Sequence, residues 1–371
     1  MRRYILFIAL LLSVNAVFVL VSQFVGSLNT SGGMIAYTLS ERMTATGSTI
    51  MLIDPHTGVR INASIGITDD VANTNTREPR WSVDGTQLSF RLYAGRQASP
   101  VNYALQISDN TYTNLSEQDP YLSLPIYGPN DQRLYSTNPL FGTGVLYRVG
   151  GDVPDGEAIA TVQTASRDLP VWSPDGTQIA YLSEYQELDT DTQPSSGTSL
   201  QEIDIYIYDI LTDETLNYTL ALNTSGQMAW SPDGETIAFI SRTQNVGQIY
   251  LLDVDSGDIT ELPPRTEAVG RPVWSSDSRM IAFTSENWDR ISDISTDVMV
   301  IDVETHDVTN LSQSGAFDNS PIWSPDNRYV VFISMRDGQS ELYVADIQTG
   351  NLRRLTYTPE NEGDITWQPR P

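Results

Sequence analysis

The sequence predicts an all-β fold: a seven-bladed β-propeller of four-stranded antiparallel blades, its ring closed by the C-terminal strand joining the N-terminal blade. Three observations predict it. A turn motif led by an aromatic residue recurs along the chain. Its copies stand 46, 45, 58, 44, 49 and 44 residues apart, the period of one four-stranded blade. The two chain ends hold complementary halves of the repeated unit.

The first segment stands outside the ring. Arg2 and Arg3 precede an apolar run from Tyr4 to Val21 that continues to Gly26, about long enough to cross a hydrocarbon core as a helix. Residues 1–26 read as a signal anchor or a signal peptide. The anchor is favoured because the run exceeds the apolar core of a usual signal. The basic start keeps the N-terminus cytoplasmic and places everything after Gly26 outside. A single-pass cell-membrane protein is therefore expected, or a secreted or periplasmic one after cleavage. Residues 27–33 read as a flexible linker and residues 34–371 as the propeller.

Within the propeller each copy has the same grammar. Full copies are Trp81-Ser-Val-Asp-Gly85, Trp172-Ser-Pro-Asp-Gly176, Trp230-Ser-Pro-Asp-Gly234, Trp274-Ser-Ser-Asp-Ser278 and Trp323-Ser-Pro-Asp-Asn327. Tyr127-Gly-Pro-Asn-Asp131 is degenerate and Trp367-Gln-Pro369 truncated. A proline two positions before the aromatic residue (Pro79, Pro125, Pro170, Pro272, Pro321) suits a strand start, because it donates no ladder hydrogen bond. The turn follows, its last residue expected in the left-handed conformation. A second strand reads Ile179-Ala-Tyr181, Ile237-Ala-Phe239, Ile281-Ala-Phe283 or Val330-Val-Phe332, and a third ends in Asp209, Asp253, Asp302 or Asp346. A hairpin such as Asp346-Ile-Gln-Thr-Gly350 leads to a short fourth strand.

Ile35-Ala-Tyr37 is a second strand with no Trp strand before it, and Ile365-Thr-Trp367 a Trp strand with nothing after it. Joining them completes a seventh blade and removes two open sheet edges. Six blades, with the Tyr127 copy displaced, is the alternative.

These copies, with their Ile-Ala-Phe and Asp-x-x-Thr-Gly partners, resemble the TolB-like propeller repeat over about residues 34–369. TolB itself adds an N-terminal α/β domain and has six blades, so the expected count departs from it. The same repeat type occurs in the propellers of prolyl-oligopeptidase-like peptidases, beside an α/β-hydrolase domain that this chain is expected not to contain.

Composition narrows the chemistry. Asp and Glu number 47 against 21 basic residues, all Arg, for a net charge of −26. That balance argues against nucleic acid and against docking on anionic lipid through a basic surface. Without Cys there is no disulfide, thiolate nucleophile or Cys-ligated zinc. His56 and His306 are the only histidines, so a three-His metal site is excluded within one chain. No G-x-S-x-G elbow, phosphate loop or H-E-x-x-H is present. The turn carboxylates Asp84, Asp175, Asp233, Asp277 and Asp326 read as caps of their own turns, and the Trp residues as packing between blades. No catalytic residue, metal or cofactor is expected.

In an up-and-down blade the Ser-Pro-Asp-Gly and Asp-x-x-Thr-Gly turns share one face. Loops joining second to third strands, and one blade to the next, share the other. Insertions collect there: the acidic stretch from Glu184 to Glu202, and Glu286-Asn-Trp-Asp-Arg290 with its off-pattern Trp288. The residues preceding each inner strand are expected to ring the channel mouth on that face. Arg77, Glu78, Asp168, Arg271, Trp288, Asp318 and Asp364 are thus the candidate contacts for a partner. The expected function is a non-enzymatic, membrane-anchored extracytoplasmic propeller binding a protein or peptide. A propeller hydrolase or lyase using the central channel, or a carbohydrate-binding envelope accessory protein, is the alternative.

Overall fold

The computed structural model describes residues 33–40, 47–64, 67, 74–94, 100–118, 123–136, 142–150, 153–164, 169–184, 203–218, 224–243, 246–263, 267–287 and 295–370. The expected anchor or signal (1–26), most of the linker, the acidic insertion beyond Glu184 and Trp288 lie outside them. Among the described residues no helix is long and apolar enough to cross a membrane. These residues form two compact units, one running up to Gln118 and resuming at Asp364, the other from Asp119 to Gly363.

The first unit holds an eight-stranded sheet. Its strands are β1 (Ile35–Ser40), β2 (Ser48–Ile53), β3 (Arg60–Asn62), β4 (Thr74–Trp81), β5 (Gln87–Ala94), β6 (Val101–Gln106), β7 (Thr111–Asn114) and β28 (Asn361–Trp367). The order β28-β1-β2-β3 makes one four-stranded run and β4-β5-β6-β7 another, bridged where Ser48 pairs parallel with Asn75. The last strand of the chain thus lies beside the first. Gln368 fastens the join: its Oε1 accepts from Met34 N at 3.0 Å and its Nε2 donates to Gly85 O at 2.7 Å.

The second unit holds five four-stranded antiparallel sheets. In chain order these are β8 (Ile126–Tyr127), β9 (Arg133–Ser136), β10 (Gly142–Gly150) and β11 (Val153–Thr164); then β12 (Val171–Trp172), β13 (Gln178–Glu184), β14 (Ile203–Asp209) and β15 (Glu214–Tyr218). Next come β16 (Thr224–Trp230), β17 (Thr236–Thr243), β18 (Val246–Asp253) and β19 (Ile259–Glu261), followed by β20 (Ala268–Trp274), β21 (Met280–Asn287), β22 (Ser295–Asp302) and β23 (Val308–Asn310). The last sheet is β24 (Asp318–Trp323), β25 (Tyr329–Ser334), β26 (Glu341–Asp346) and β27 (Leu352–Arg354). The degenerate Tyr127 copy therefore builds a four-stranded sheet of its own.

Strand alternation explains the Ile-Ala-Phe motif. Ile237 and Phe239 pack with Trp230 against Ala180, Leu182, Ile205 and Ile207 of the preceding sheet. Ala238, on the opposite face, packs in a second cluster with Trp274, Ile281 and Phe283 of the following sheet. Ala282 likewise packs with Trp323, Val330 and Phe332. A small residue between two large ones gives the next sheet's indole room to lie flat. The indole also bonds backward: Trp172 Nε1 donates to Ile126 O, Trp274 Nε1 to Ala229 O and Trp323 Nε1 to Val273 O, at 2.9–3.1 Å. At the degenerate copy, a Cβ on Gly128 would meet the Trp172 ring at 2.5 Å, so only glycine fits beneath that indole.

The turns are closed by their own side chains. In all five full copies the Ser hydroxyl donates to the Asp carboxylate at 2.5–2.7 Å. The same carboxylate accepts a backbone N–H two residues on, as Thr177 N does to Asp175 at 3.0 Å. His306 takes the place of glycine in its hairpin, with φ 63° against 76° and 71° at Gly257 and Gly350.

Candidate functional site

Pro79, Pro272 and Pro321 lie inside their inner strands and not at the expected strand starts, because each strand begins before its proline. Each removes a ladder donor beside a bulge, and β16 bulges between Thr224 and Met228 without a proline. The register breaks between Arg77 and Arg80, between Val269 and Val273, and between Asn319 and Ile322. Inside these breaks the backbone turns left-handed, with φ 58° at Glu78, 79° at Gly270 and 56° at Ser320. Asp364 shows the same turn in β28, φ 41°. Each such non-glycine residue stores on the order of 1–3 kcal/mol of strain, a feature that concentrates where side chains must be aimed at something. Glu78, Gly270, Arg271 and Ser320 therefore leave the ladder, whereas the rim candidates Arg77 and Asp318 stay in it, paired with Arg91 and Ser334.

In the first unit the rim candidates are Arg77, Glu78 and Asp364. Arg77 is exposed. Glu78 faces two guanidinium groups, Arg91 at 3.4 Å and Arg80 at 3.6 Å, and its backbone N–H donates to Asp364 Oδ2 at 3.3 Å. Arg91 is buried and braced from behind by Asn102 Oδ1 at 3.4 Å.

In the second unit Arg271 is exposed on β20, whereas Asp318 is fully buried. The Asp318 carboxylate accepts from Arg336 at 3.3 Å and from the Ser314 hydroxyl. Arg336 lies over the Tyr343 ring, 4.5 Å from its centre, and near Phe332. Asp318 thus braces the rim from beneath. Asp168 and Trp288 lie outside the described residues.

Reading the inner strands alone does not reveal a second polar feature. A buried polar residue stands within the first three positions of five third strands: Asn102 in the first unit, and Asp204, Gln248, Asp297 and Glu341 in the second. Each pairs in register with a polar residue on the second strand, namely Arg91, Ser183, Ser241, Ser285 and Ser334. The signal was present in the sequence as a polar residue interrupting an apolar strand at one repeated position. In the last sheet charged groups gather around Glu341. Glu341, fully buried, accepts from Arg354 and from the Thr356 hydroxyl at 2.7 Å. Arg354 also reaches Asp337 at 2.8 Å, and Asp337 accepts from the Tyr343 hydroxyl. Burial, with the Asp337 hydrogen bond and charge, pushes the Tyr343 hydroxyl up to about 12. Glu362, 4% exposed, accepts from Thr358 Oγ1 at 2.8 Å. Burial pushes its carboxyl up to about 7; the Thr358 hydroxyl opposes that rise and the Glu341 charge adds to it. Among the described residues no group of three or more His, Asp or Glu is placed to hold a metal ion.

With this geometry established, comparison with known proteins places the fold. Residues 229–370 match the family model described as the TolB beta propeller domain. The fold is that of a TolB-like β-propeller. TolB from Acinetobacter baumannii superposes with a TM-score of 0.56 at 19% identity, covering 91% of this chain and 67% of that one. The β-propeller domain of the Trilobed protease from Pyrococcus furiosus gives a TM-score of 0.62 at 14% identity, covering 88% and 96%. In sequence, this chain is 32% identical over 116 residues to a protein of Bacillus subtilis (strain 168) named "Uncharacterized peptidase YuxL". That match covers 31% of this chain and 16% of the relative. The expected resemblance to TolB-like repeats is borne out. The expectation of a chain without an enzymatic role is not: this run of repeats is shared with a peptidase, and propellers of named proteases have the same fold.

Proposed function

We propose that this chain serves peptide hydrolysis, as a seven-bladed propeller whose inner-strand rim binds the polypeptide substrate at the mouth of the central channel. The observation that carries this reading is the repeated left-handed turn at Glu78, Gly270, Ser320 and Asp364, which in β4 and β20 takes Glu78 and Arg271 out of the ladder. Arg77, Glu78, Arg271 and Asp364 supply charged groups of both signs there, suited to a peptide backbone and its ends. Asp168 and Trp288 belong to the same proposed contact set, and Asp318 supports it through Arg336. The repeats shared with a peptidase favour hydrolysis over the lyase and carbohydrate-binding alternatives. The seven-blade count rests on five four-stranded sheets plus two four-stranded runs in the eight-stranded sheet. Ring closure rests on β28 pairing with β1. The basic start and apolar run of residues 1–26 favour a propeller exported from the cytoplasm.

The test is hydrolysis and retention of a set of fluorogenic peptide amides by the full chain. Glu78→Ala and Arg271→Ala should each raise KM about tenfold, on the order of 1–2 kcal/mol per contact. His56→Ala and His306→Ala, on the opposite turns, should change neither KM nor kcat. Peptides that are neither cut nor retained, or rim variants that behave as wild type, would sink the reading.

A further inference from the structure

Glu362 is a buried carboxyl that combines an unpartnered oxygen with a second carboxyl, Glu341, close by. Its Oε2 has no hydrogen-bond partner, while Oε1 takes the Thr358 hydroxyl. An ionised carboxylate in that position would lack half its donors in a desolvated site, which is costly. The segment around it is stitched to the loop between β25 and β26. Glu362 N donates to Ser340 O at 3.1 Å, Ser340 N donates to Asn361 Oδ1 at 3.3 Å, and Gln339 Nε2 donates to Thr358 O. The same segment leads into β28, the strand paired with β1.

We propose that Glu362 is a proton-operated latch: with its proton it holds Thr358–Glu362 against the β25–β26 loop, and without it the segment is released. The charged surroundings favour this direction. From β26, Glu341 faces it with a negative charge. From β27, Arg354 is turned to Glu341 and Asp337. From the β25–β26 loop, Asp337 is held by Arg354 and Arg336 by Asp318. In its own segment Glu360 and Asp364 add only negative charge. Both neighbouring guanidinium groups are engaged with other carboxylates, so ionised Glu362 meets a net repulsion.

The sign follows from linkage. The closed segment keeps the proton up to about pH 7, whereas a solvated Glu loses it near 4.5. Between those values opening releases one proton, so the open fraction rises by up to about tenfold per pH unit and levels off above the upper value. The latch is therefore firm in acid and loosest above neutral pH.

Hydrogen exchange on the intact chain, corrected for intrinsic rates, reads this directly. Protection at Ser340 and Glu362 should fall by tenfold or more between about pH 5 and pH 7.5, while β17 (Thr236–Thr243) stays unchanged. Glu362→Gln, which cannot ionise, should remove the pH dependence. The proposal is overturned if wild-type protection is flat across that range, if β17 loosens in parallel, or if Glu362→Gln keeps the wild-type slope.

Discussion

Trp274 donates its indole N–H to the carbonyl oxygen of Ala229 at 3.1 Å, and Ala229 immediately precedes Trp230, the equivalent residue of the preceding sheet. The bond ties one inner strand to the next through the largest side chain of the repeat. Trp172 and Trp323 make the same link to Ile126 and Val273. Trp230 does not: its indole bonds within its own turn, to Gly234 O at 2.9 Å. Trp81 does not make it either, its buried Nε1 having no partner. Neighbouring strands are thus joined by buried apolar area and, at Trp172, Trp274 and Trp323, by a repeated hydrogen bond as well.

Replacing Trp274 by Phe keeps most of the apolar contact and removes that bond, so the chain should lose about 1–3 kcal/mol, measured as a shift in the guanidinium midpoint. Trp230→Phe should disturb its own turn and leave the junction with the β12–β15 sheet intact. Hydrogen exchange at Ala229 and Val273 should therefore accelerate in Trp274→Phe and Trp323→Phe respectively, while Val171 stays protected in Trp230→Phe. Equal loosening at all three junctions would contradict the assigned role of the indole donors.

The turn carboxylates make acid stability a second test. The Ser173 hydroxyl holds the Asp175 carboxyl below its ordinary value; burial opposes this, and the Thr177 N–H and hydroxyl add to it. A folded pKa below the unfolded one stabilises the protein above the unfolded value, and that stability is lost as pH falls through the folded value. Ser173→Ala should move the Asp175 carboxyl back toward 3.8 in an NMR titration, and the acid end of the stability curve should flatten accordingly. An unchanged Asp175 titration would show that the Ser hydroxyl does not set it.

Removing residues 363–371 takes away most of β28 and Gln368 together. β1 then loses its outer neighbour, and Met34 N and Gly85 O lose their partners. The expected result is a chain that unfolds at markedly lower denaturant and aggregates through the exposed β1 edge. Gln368→Ala alone should be milder, about 1–3 kcal/mol for two buried partners left unmatched. A truncated chain that melts like the intact one would show that pairing the two chain ends does not hold the first unit together.

The repeat was legible because each part of its grammar answers a local physical demand. Left-handed turn residues and Asp-capped hairpins are set by backbone geometry within a few residues. That is why Gly85, Gly176, His306 and the five Ser–Asp turns appear where the sequence places them. Ile-Ala-Phe was readable as a strand, and its tertiary meaning, a flat seat for the next indole, emerges only when Ala238 meets Trp274.

The charged rim was legible in part. Glu78 and Asp364 meet in the first unit, the Glu78 N–H donating to Asp364 Oδ2, although they are 286 residues apart in sequence. Asp318 lies fully buried, because Arg336 arrives from the β25–β26 loop and claims it. The cluster at Glu341, Arg354 and Glu362 depends on three separate segments meeting, and nothing local marks Glu362 as different from any surface glutamate. By itself the sequence determined the strand grammar, the turn chemistry and the period, since these rest on conformational limits each residue carries with it. Only the tertiary structure decided which charges are solvated and which are buried against one another, because desolvation and pairing belong to the neighbours that folding supplies.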